Sequence, residues 1–235
     1  MLRVENLDVA YGHLQILRQV NMNINNGEIV AILGANGAGK TTLLKSVMGL
    51  LPPKAGKVFY RGEDVTGRAP FELSRLGIAF VPEERNIFQA MTVEDNLLLG
   101  AYFVKDKAKI RSNLKEVYEM FPRLEERRKQ LAGTMSGGER QMLAIGRGLM
   151  SKPHLIILDE PSMGLSPTNV LIVFQTIKTL TSQEVTIVIV EQNVDATLNV
   201  ASRAYVMEHG AVVMEGSSQE LSQNDYVKKM YLGQS

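Results

Sequence analysis

Ile29-Val-Ala-Ile-Leu-Gly-Ala-Asn-Gly-Ala-Gly-Lys-Thr-Thr42 decides the fold of this chain. Its first five residues form a continuous apolar run, the mark of a strand buried on both faces. Gly34-Ala35-Asn36-Gly37-Ala38-Gly39-Lys40-Thr41 follows at once and fits the phosphate-loop pattern. Leu44, Val47, Met48 and Leu51 then recur at helical spacing, and Pro52-Pro53 is expected to end that helix. A strand, a glycine-rich loop and a helix in this order predict a polyphosphate site. Gly37 and Gly39 permit backbone conformations that turn successive N–H groups inward. The helix starting near Lys40 adds its positive dipole end. Lys40 brings charge to the β- and γ-phosphates, Thr41 offers a hydroxyl to Mg²⁺, and Thr42 supports the phosphates.

Upstream, Val20, Met22 and Ile24 alternate with asparagines, the period of a half-buried strand, and Asn26-Gly27 predicts a tight hairpin turn. Downstream, Lys57 to Tyr60, Gly77 to Val81, Leu155 to Leu158 and Val185 to Val190 read as strands, and Ala204 to Met214 reads as a hairpin turning near His209-Gly210. Residues 92–150 are different. Thr92-Val-Glu-Asp95 is a capping box, and Ile110, Leu114, Val117, Tyr118 and Phe121 form an apolar stripe that Pro122 stops. This stretch has no strand pattern and predicts a helical lobe; its charge run, Lys105 to Gln130, reads as a solvated face. Ser217-Ser-Gln-Glu220 opens a last amphipathic helix, with Gly233 just beyond its end. Strands alternating with helices predict a largely parallel sheet, whose ligands bind at the carboxyl ends of the strands.

Two further stretches carry chemistry. The strand Leu155–Leu158 delivers Asp159-Glu160 at its carboxyl end, where the phosphate loop also emerges. Asp159 would hold Mg²⁺, and Glu160 is placed to polarise a water for attack on the γ-phosphate. A helix-capping acid pair is the bland alternative for these two residues. In the helical lobe, Ser136-Gly137-Gly138-Glu139 reads as a capping box. The box explains the serine and the glutamate but not the glycines, each of which costs roughly 1 kcal/mol against alanine inside a helix. Close approach of an anion to the helix N-terminus would account for them. The chain thus has two polyphosphate sites but one set of Mg²⁺ and base residues, so the second site is expected to grip a nucleotide held by another subunit.

Gly34–Thr42, Ser136–Glu139 and Leu155–Glu160, in this order and spacing, resemble the ATP-binding subunit of an ABC transporter. The resemblance covers essentially the whole chain. It implies an α/β fold: a P-loop NTPase core with a mostly parallel sheet, an antiparallel β subdomain and an inserted α-helical subdomain. The whole chain, 1–235, would be one ABC ATPase domain, with 1–85 and 151–235 as the nucleotide-binding core and 86–150 as the helical signature subdomain. Each ATP would lie between one subunit's phosphate loop and the other's signature, in a head-to-tail dimer, with Tyr11 stacked on adenine. Glu83 stands where many members have glutamine, and would link Mg²⁺ and attacking water to the transmembrane partner. Gln192 replaces the usual switch histidine, and Ser166 replaces an aspartate common after the catalytic glutamate. A neutral amide at 192 still donates to the γ-phosphate but does not titrate, and slower hydrolysis at this chain's own site is expected.

Val81-Pro-Glu-Glu-Arg, Phe121-Pro-Arg-Leu-Glu-Glu-Arg, Asp159-Glu-Pro-Ser-Met-Gly-Leu, Val190-Glu-Gln-Asn and the closing Tyr231-Leu-Gly narrow the resemblance to the F-type ATPase of branched-chain amino acid importers. That implies a second ATPase subunit, an integral membrane permease, an extracytoplasmic solute-binding protein, and a position at the cytoplasmic face of the cell membrane. Urea or amide import by the same subunit type is the nearest alternative. A soluble ABC ATPase would carry coiled-coil insertions or two cassettes, and a phosphate-loop kinase would leave Ser136-Gly-Gly unexplained.

The bulk properties are compatible with this. The 235 residues are enough for one large α/β domain, and a net charge of +1 gives no basis for nucleic acid binding. The absence of cysteine excludes disulfides, thiolate metal sites and cysteine catalysis, and His13, His154 and His209 lack metal-ligand spacing. The charged start Met1-Leu-Arg-Val-Glu-Asn6 does not resemble a signal peptide, and no apolar run reaches the roughly 18 residues of a membrane span.

Overall fold

The computed structural model describes residues 1–231, with Tyr231 described by its backbone alone. Gly233 and the Leu-Gly end of the closing tripeptide lie outside the described residues. Four strands, β1 (Leu2–Tyr11), β2 (Leu14–Ile24), β4 (Ala55–Tyr60) and β5 (Glu63–Asp64), form an antiparallel sheet in the order β2-β1-β4-β5. Six more form the second sheet: β3 (Ile29–Leu33), β6 (Ile78–Val81), β7 (Leu155–Asp159), β8 (Thr186–Glu191), β9 (Arg203–Glu208) and β10 (Ala211–Ser217). Their order is β10-β9-β3-β8-β7-β6, parallel throughout except for the β9–β10 hairpin.

The unbroken apolar character of β3, β7 and β8 follows from this topology. Ile29, Ala31 and Leu33 point into one core and Val30 and Ile32 into the other. Ile156 and Leu158 share the first core, and Leu155 and Ile157 the second. The first core is closed by the helices α3 (Val93–Gly100), α4 (Lys107–Met120), α5 (Pro122–Glu126), α6 (Gly137–Leu149) and α7 (Pro167–Ser182). The second is closed by α1 (Lys40–Val47) and the antiparallel sheet. Shorter helices α2 (Pro70–Arg75), α8 (Val194–Leu198), α9 (Ser218–Gln223) and α10 (Asp225–Tyr231) complete the described chain. Thr92 caps α3 as its sequence predicts, accepting from Asp95 N at 3.1 Å. Among the described residues, no helix is long and apolar enough to cross a membrane.

Three local expectations are corrected. Asn26-Gly27 does turn the chain, but β2 and β3 belong to different sheets, so the turn is not a hairpin. It hands the chain from one layer to the next, and Gly27 N donates to Thr186 Oγ1 on β8 at 2.9 Å. The phosphate-loop helix ends at Val47, before Pro52. Gly49, at φ +67°, closes it, with Leu50 N donating to Lys45 O across the helix end. The terminal amphipathic segment is two helices, α9 and α10, because Asn224 adopts an extended conformation between them.

Arg203 fastens the two sheets. Its guanidinium donates to Glu28 Oε1 at 2.8 Å, Glu28 Oε2 at 3.1 Å, Tyr205 Oη at 2.7 Å and Glu215 Oε1 at 2.9 Å, and also reaches Asn23 O at the end of β2. Arg203→Ala leaves the largely buried Glu28 carboxylate without its cation. The expected loss is about 2–3 kcal/mol, the scale of hydrogen bonds to charged groups, read as a lower urea midpoint in equilibrium unfolding.

Candidate functional site

The loop between β3 and α1 wraps a cavity of about 440 Å³ at the carboxyl end of the parallel sheet. Residues 36–42 of the loop line it, together with Ile16, Glu83, Glu160, Met163 and Gln192. Gly37 and Gly39 take φ of +82° and +102°, the left-handed conformations that let the loop curl. Gly34 and Ala35 stand back from the cavity wall; their carbonyls accept from Lys40 Nζ at 2.7 and 3.2 Å. Lys40 is 5% exposed and lies 3.8 Å from Glu160 Oε1. Burial holds its ammonium below the ordinary lysine value, against the pull of Glu160, Asp159, Glu191 and Glu83.

Asp159 lies one layer beneath the wall, where its Oδ1 accepts from Thr41 Oγ1 at 3.4 Å. Burial lifts its carboxyl to about 6, with the neighbouring acids adding to the rise. One ammonium among several carboxylates leaves surplus negative charge, which a divalent cation would offset. The donors offered by Thr41, Asp159 and Glu83 are all oxygen, as hard Mg²⁺ prefers. Among the described residues, no group of three or more His, Cys, Asp or Glu is placed to hold a metal unaided. A cation here would therefore need phosphate oxygens and waters as its remaining ligands, which is the usual manner of Mg²⁺.

Glu160 is 8% exposed and takes φ +47°, in the left-handed region a side chain enters at a cost. Its Oε2 accepts from Gln192 Nε2 at 2.6 Å. Ser166, the replacement for an expected aspartate, caps α7 and accepts weakly from Asn169 N at 3.5 Å. Tyr11 does not line the cavity: it is exposed at the end of β1, opposite Leu14. Ile16, on the following strand, supplies the apolar contact there, and nothing in its alternating strand pattern marks it out.

Ser136 caps α6, which Gly137, Gly138 and Glu139 open, and none of the four lines the cavity. The capping box is closed: Ser136 Oγ accepts from Glu139 N at 3.3 Å, and Glu139 Oε2 accepts from Ser136 N at 2.9 Å. Burial works against the charge of Glu139, but the Ser136 hydrogen bonds and Arg127, 3.0 Å away, outweigh it and hold the carboxyl below its ordinary value. The two glycines have different surroundings. A Cβ on Gly138 would sit 2.0 Å from Asn169 Nδ2 at the start of α7, so a larger residue there needs that side chain to swing aside. A Cβ on Gly137 would meet nothing within 4 Å. Gly137 has no packing reason of its own, so an external partner is left to explain it.

A second cavity, of about 490 Å³, opens between β6, α3 and α6, with Phe88, Leu99, Tyr102, Phe103 and Arg147 on its walls. Tyr102 is 78% exposed and Phe88 54%. The segment after β6 joins the two cavities, since Glu83 lines the first while Asn86 and Phe88 line the second. Arg85, between them, donates to Gln141 Oε1 on α6 at 2.6 Å and to Met163 O at 3.0 Å. Arg147 donates in turn to the carbonyls of Arg85 and Asn86 at 2.9 and 2.7 Å. These arginine links span 56 to 78 positions of sequence, and no local motif announces them.

A phosphate loop facing an acidic strand end, with a helical lobe and its own glycine-opened helix alongside, defines a nucleotide-binding cassette. A family model described as ABC transporter matches residues 17–163. The chain is 46% identical over 233 residues to the high-affinity branched-chain amino acid transport ATP-binding protein BraG of Pseudomonas aeruginosa, covering 99% of this chain and 100% of that one. It is 40% identical over 234 residues to the probable branched-chain amino acid transport ATP-binding protein LivF of Archaeoglobus fulgidus, covering 99% of each. Its fold superposes with TM-score 0.86 on the crystal structure of an ATP-binding cassette of an ABC transporter in its ADP conformation, at 29% identity, over 100% of this chain and 99% of the other. The chain belongs to the ABC transporter family, and its activity is ATP hydrolysis.

Proposed function

We propose that this chain is the energy-coupling ATPase of an importer for branched-chain amino acids. Full-length similarity to two proteins named for that transport supports the solute class. The carrying structural observation is a division of labour. Lys40, Thr41, Glu83, Glu160 and Gln192 border one cavity, and Ser136–Glu139 are not among its lining residues. In this reading residues 34–42 hold the triphosphate, and residues 136–139 close over the nucleotide of a second ATPase subunit. Residues 86–150 act as the signature lobe on a core made of the remainder. Tyr11, exposed at the end of β1 and outside the cavity lining, stacks on adenine.

Each side chain then has a task. Lys40 exchanges its loop carbonyls for phosphate oxygens. Thr41, Asp159 and Glu83 would hold Mg²⁺, which when bound would supply positive charge against the developing phosphate charge. Glu160 takes a proton from the attacking water, and Gln192 orients the Glu160 carboxylate while offering its amide to the γ-phosphate. The groove walled by Phe88, Tyr102 and Phe103 receives the permease, with residues 83–91 as its edge. Binding there is felt at Glu83 because the segment is shared. A solute-binding protein on the far side of the membrane would supply the permease, leaving this chain peripheral on the inner face.

Purification from membranes under mild detergent tests the reading. The expected result is recovery with an integral membrane permease and a second ATPase, in particles whose ATP hydrolysis rises with a branched-chain amino acid and its binding protein. Recovery without any membrane protein would point instead to a soluble ATPase, and stimulation by urea or an amide alone would reassign the solute.

A further inference from the structure

The end of β8 grips the Glu160 turn at three consecutive positions. Val190 O accepts from Glu160 N at 2.9 Å, and Gln192 Nε2 donates to Glu160 Oε2 at 2.6 Å. Between them, Glu191 sends its carboxylate to backbone groups: Oε1 accepts from Ser162 N at 2.7 Å and Oε2 from Gln192 N at 3.2 Å. The turn they hold is closed by Met163 N donating to Glu160 O at 3.1 Å, and Met163 also lines the nucleotide cavity.

Glu191 is 2% exposed. Burying a carboxylate is costly unless hydrogen bonds offset it. The strand does not need one there, since every other residue from Ile187 to Val190 is apolar and equally buried. The turn does need an acceptor. Glu160 stands in the left-handed region at φ +47°, a conformation that persists only where its surroundings enforce it. The Ser162 N–H, two residues on, faces inward and meets Glu191.

We propose that Glu191 is a positioning residue for ATP hydrolysis: by holding Ser162 N–H it fixes the left-handed turn that aims the Glu160 carboxylate into the nucleotide cavity. Gln192 and Glu191 thus divide one job. The amide steers the Glu160 side chain, and the acid fixes the backbone from which that side chain springs. The proposal rests on the reading of Glu160 as the base.

The test uses the full chain assembled with the subunits that purify with it. Glu191→Gln keeps the shape but replaces one acceptor oxygen by an amide that only donates. Turnover should fall about 10- to 100-fold, the scale of a small misplacement of a catalytic group, with the KM for ATP changed less than twofold. The same substitution added to Glu160→Gln should cost nothing further, because no base remains to be aimed. Should Glu191→Gln fail to fold, Glu191→Met, which removes both acceptors together with the buried charge, is expected to give the same kcat-only loss. Wild-type turnover in either variant would overturn the proposal, as would an equal fold-loss with and without the Glu160 carboxylate. Failure of the underlying reading is distinct: there Glu160→Gln alone would leave turnover intact.

Discussion

Glu160→Gln is expected to leave ATP binding intact and to lower turnover about 10²- to 10⁴-fold, the range associated with losing a general base. Binding survives because no residue of the phosphate loop changes and the substitution is nearly isosteric. The amide carbonyl still accepts from Gln192 Nε2, so the 2.6 Å contact that orients the side chain persists. Lys40 loses a counter-charge 3.8 Å away but keeps the carbonyls of Gly34 and Ala35. What disappears is the basic lone pair that Glu160 presents beside the phosphate loop. Fluorescent-nucleotide titration and steady-state phosphate release on the same preparation separate the two effects. A variant that binds ATP and turns over near the wild-type rate would remove Glu160 from the role.

The sequence exposes what short range decides. The run Ile29–Leu33 announced a strand buried on both faces, and β3 lies between β8 and β9 with all five residues buried. The stripe from Ile110 to Phe121 announced α4. Asn26-Gly27 announced a turn, but turn chemistry does not say which sheet the next strand will join, and the hairpin expected there does not form. The end of α1 differs from the expected one for a similar reason. Pro52-Pro53 is a strong stop, yet the turn at Gly49, before Pro52, already satisfies the carbonyls of Lys45 and Ser46. At the site, motif spacing points to Lys40, Thr41 and Glu160, and the family resemblance adds Glu83 and Gln192; all five line one cavity. Neither was enough to reveal Glu191 or Arg85. Their partners sit 29 and 56 to 78 positions away, and only the packed sheet shows that an acid inside an apolar strand is holding a backbone N–H.

Gly137→Asp should leave the chain folded and abolish most hydrolysis in the assembled enzyme, and the contrast is what makes the experiment decisive. Gly137 is the first residue of α6, and a Cβ there meets nothing within 4 Å. An aspartate in the first turn is favoured by the helix dipole, so thermal unfolding should be unchanged or slightly later. The same charge would face the polyphosphate of a neighbouring subunit and occupy its approach to the helix N-terminus. Loss of a preorganised donor site of this kind costs on the order of 10²–10³ in rate. Gly138→Ala makes a less clean control, because its Cβ would lie 2.0 Å from Asn169 Nδ2 and that side chain would have to move. The better control is Lys40→Ala, which disables the loop and leaves the signature whole. If two copies of this chain pair head to tail, each variant alone should be nearly inactive, while a mixture recovers activity. A mixed pair holds one centre in which an intact loop meets an intact signature. If pairing is with a different ATPase, Gly137→Asp should instead silence the partner's centre and spare the one built on Lys40. Slow hydrolysis by the Gly137→Asp chain as a verified monomer, at the same rate as the unaltered monomer, fits both arrangements, because neither asks the signature to serve its own loop. A large loss in that verified monomer would show that residues 136–139 reach the cavity of their own chain, and the shared-site geometry would then have to be abandoned.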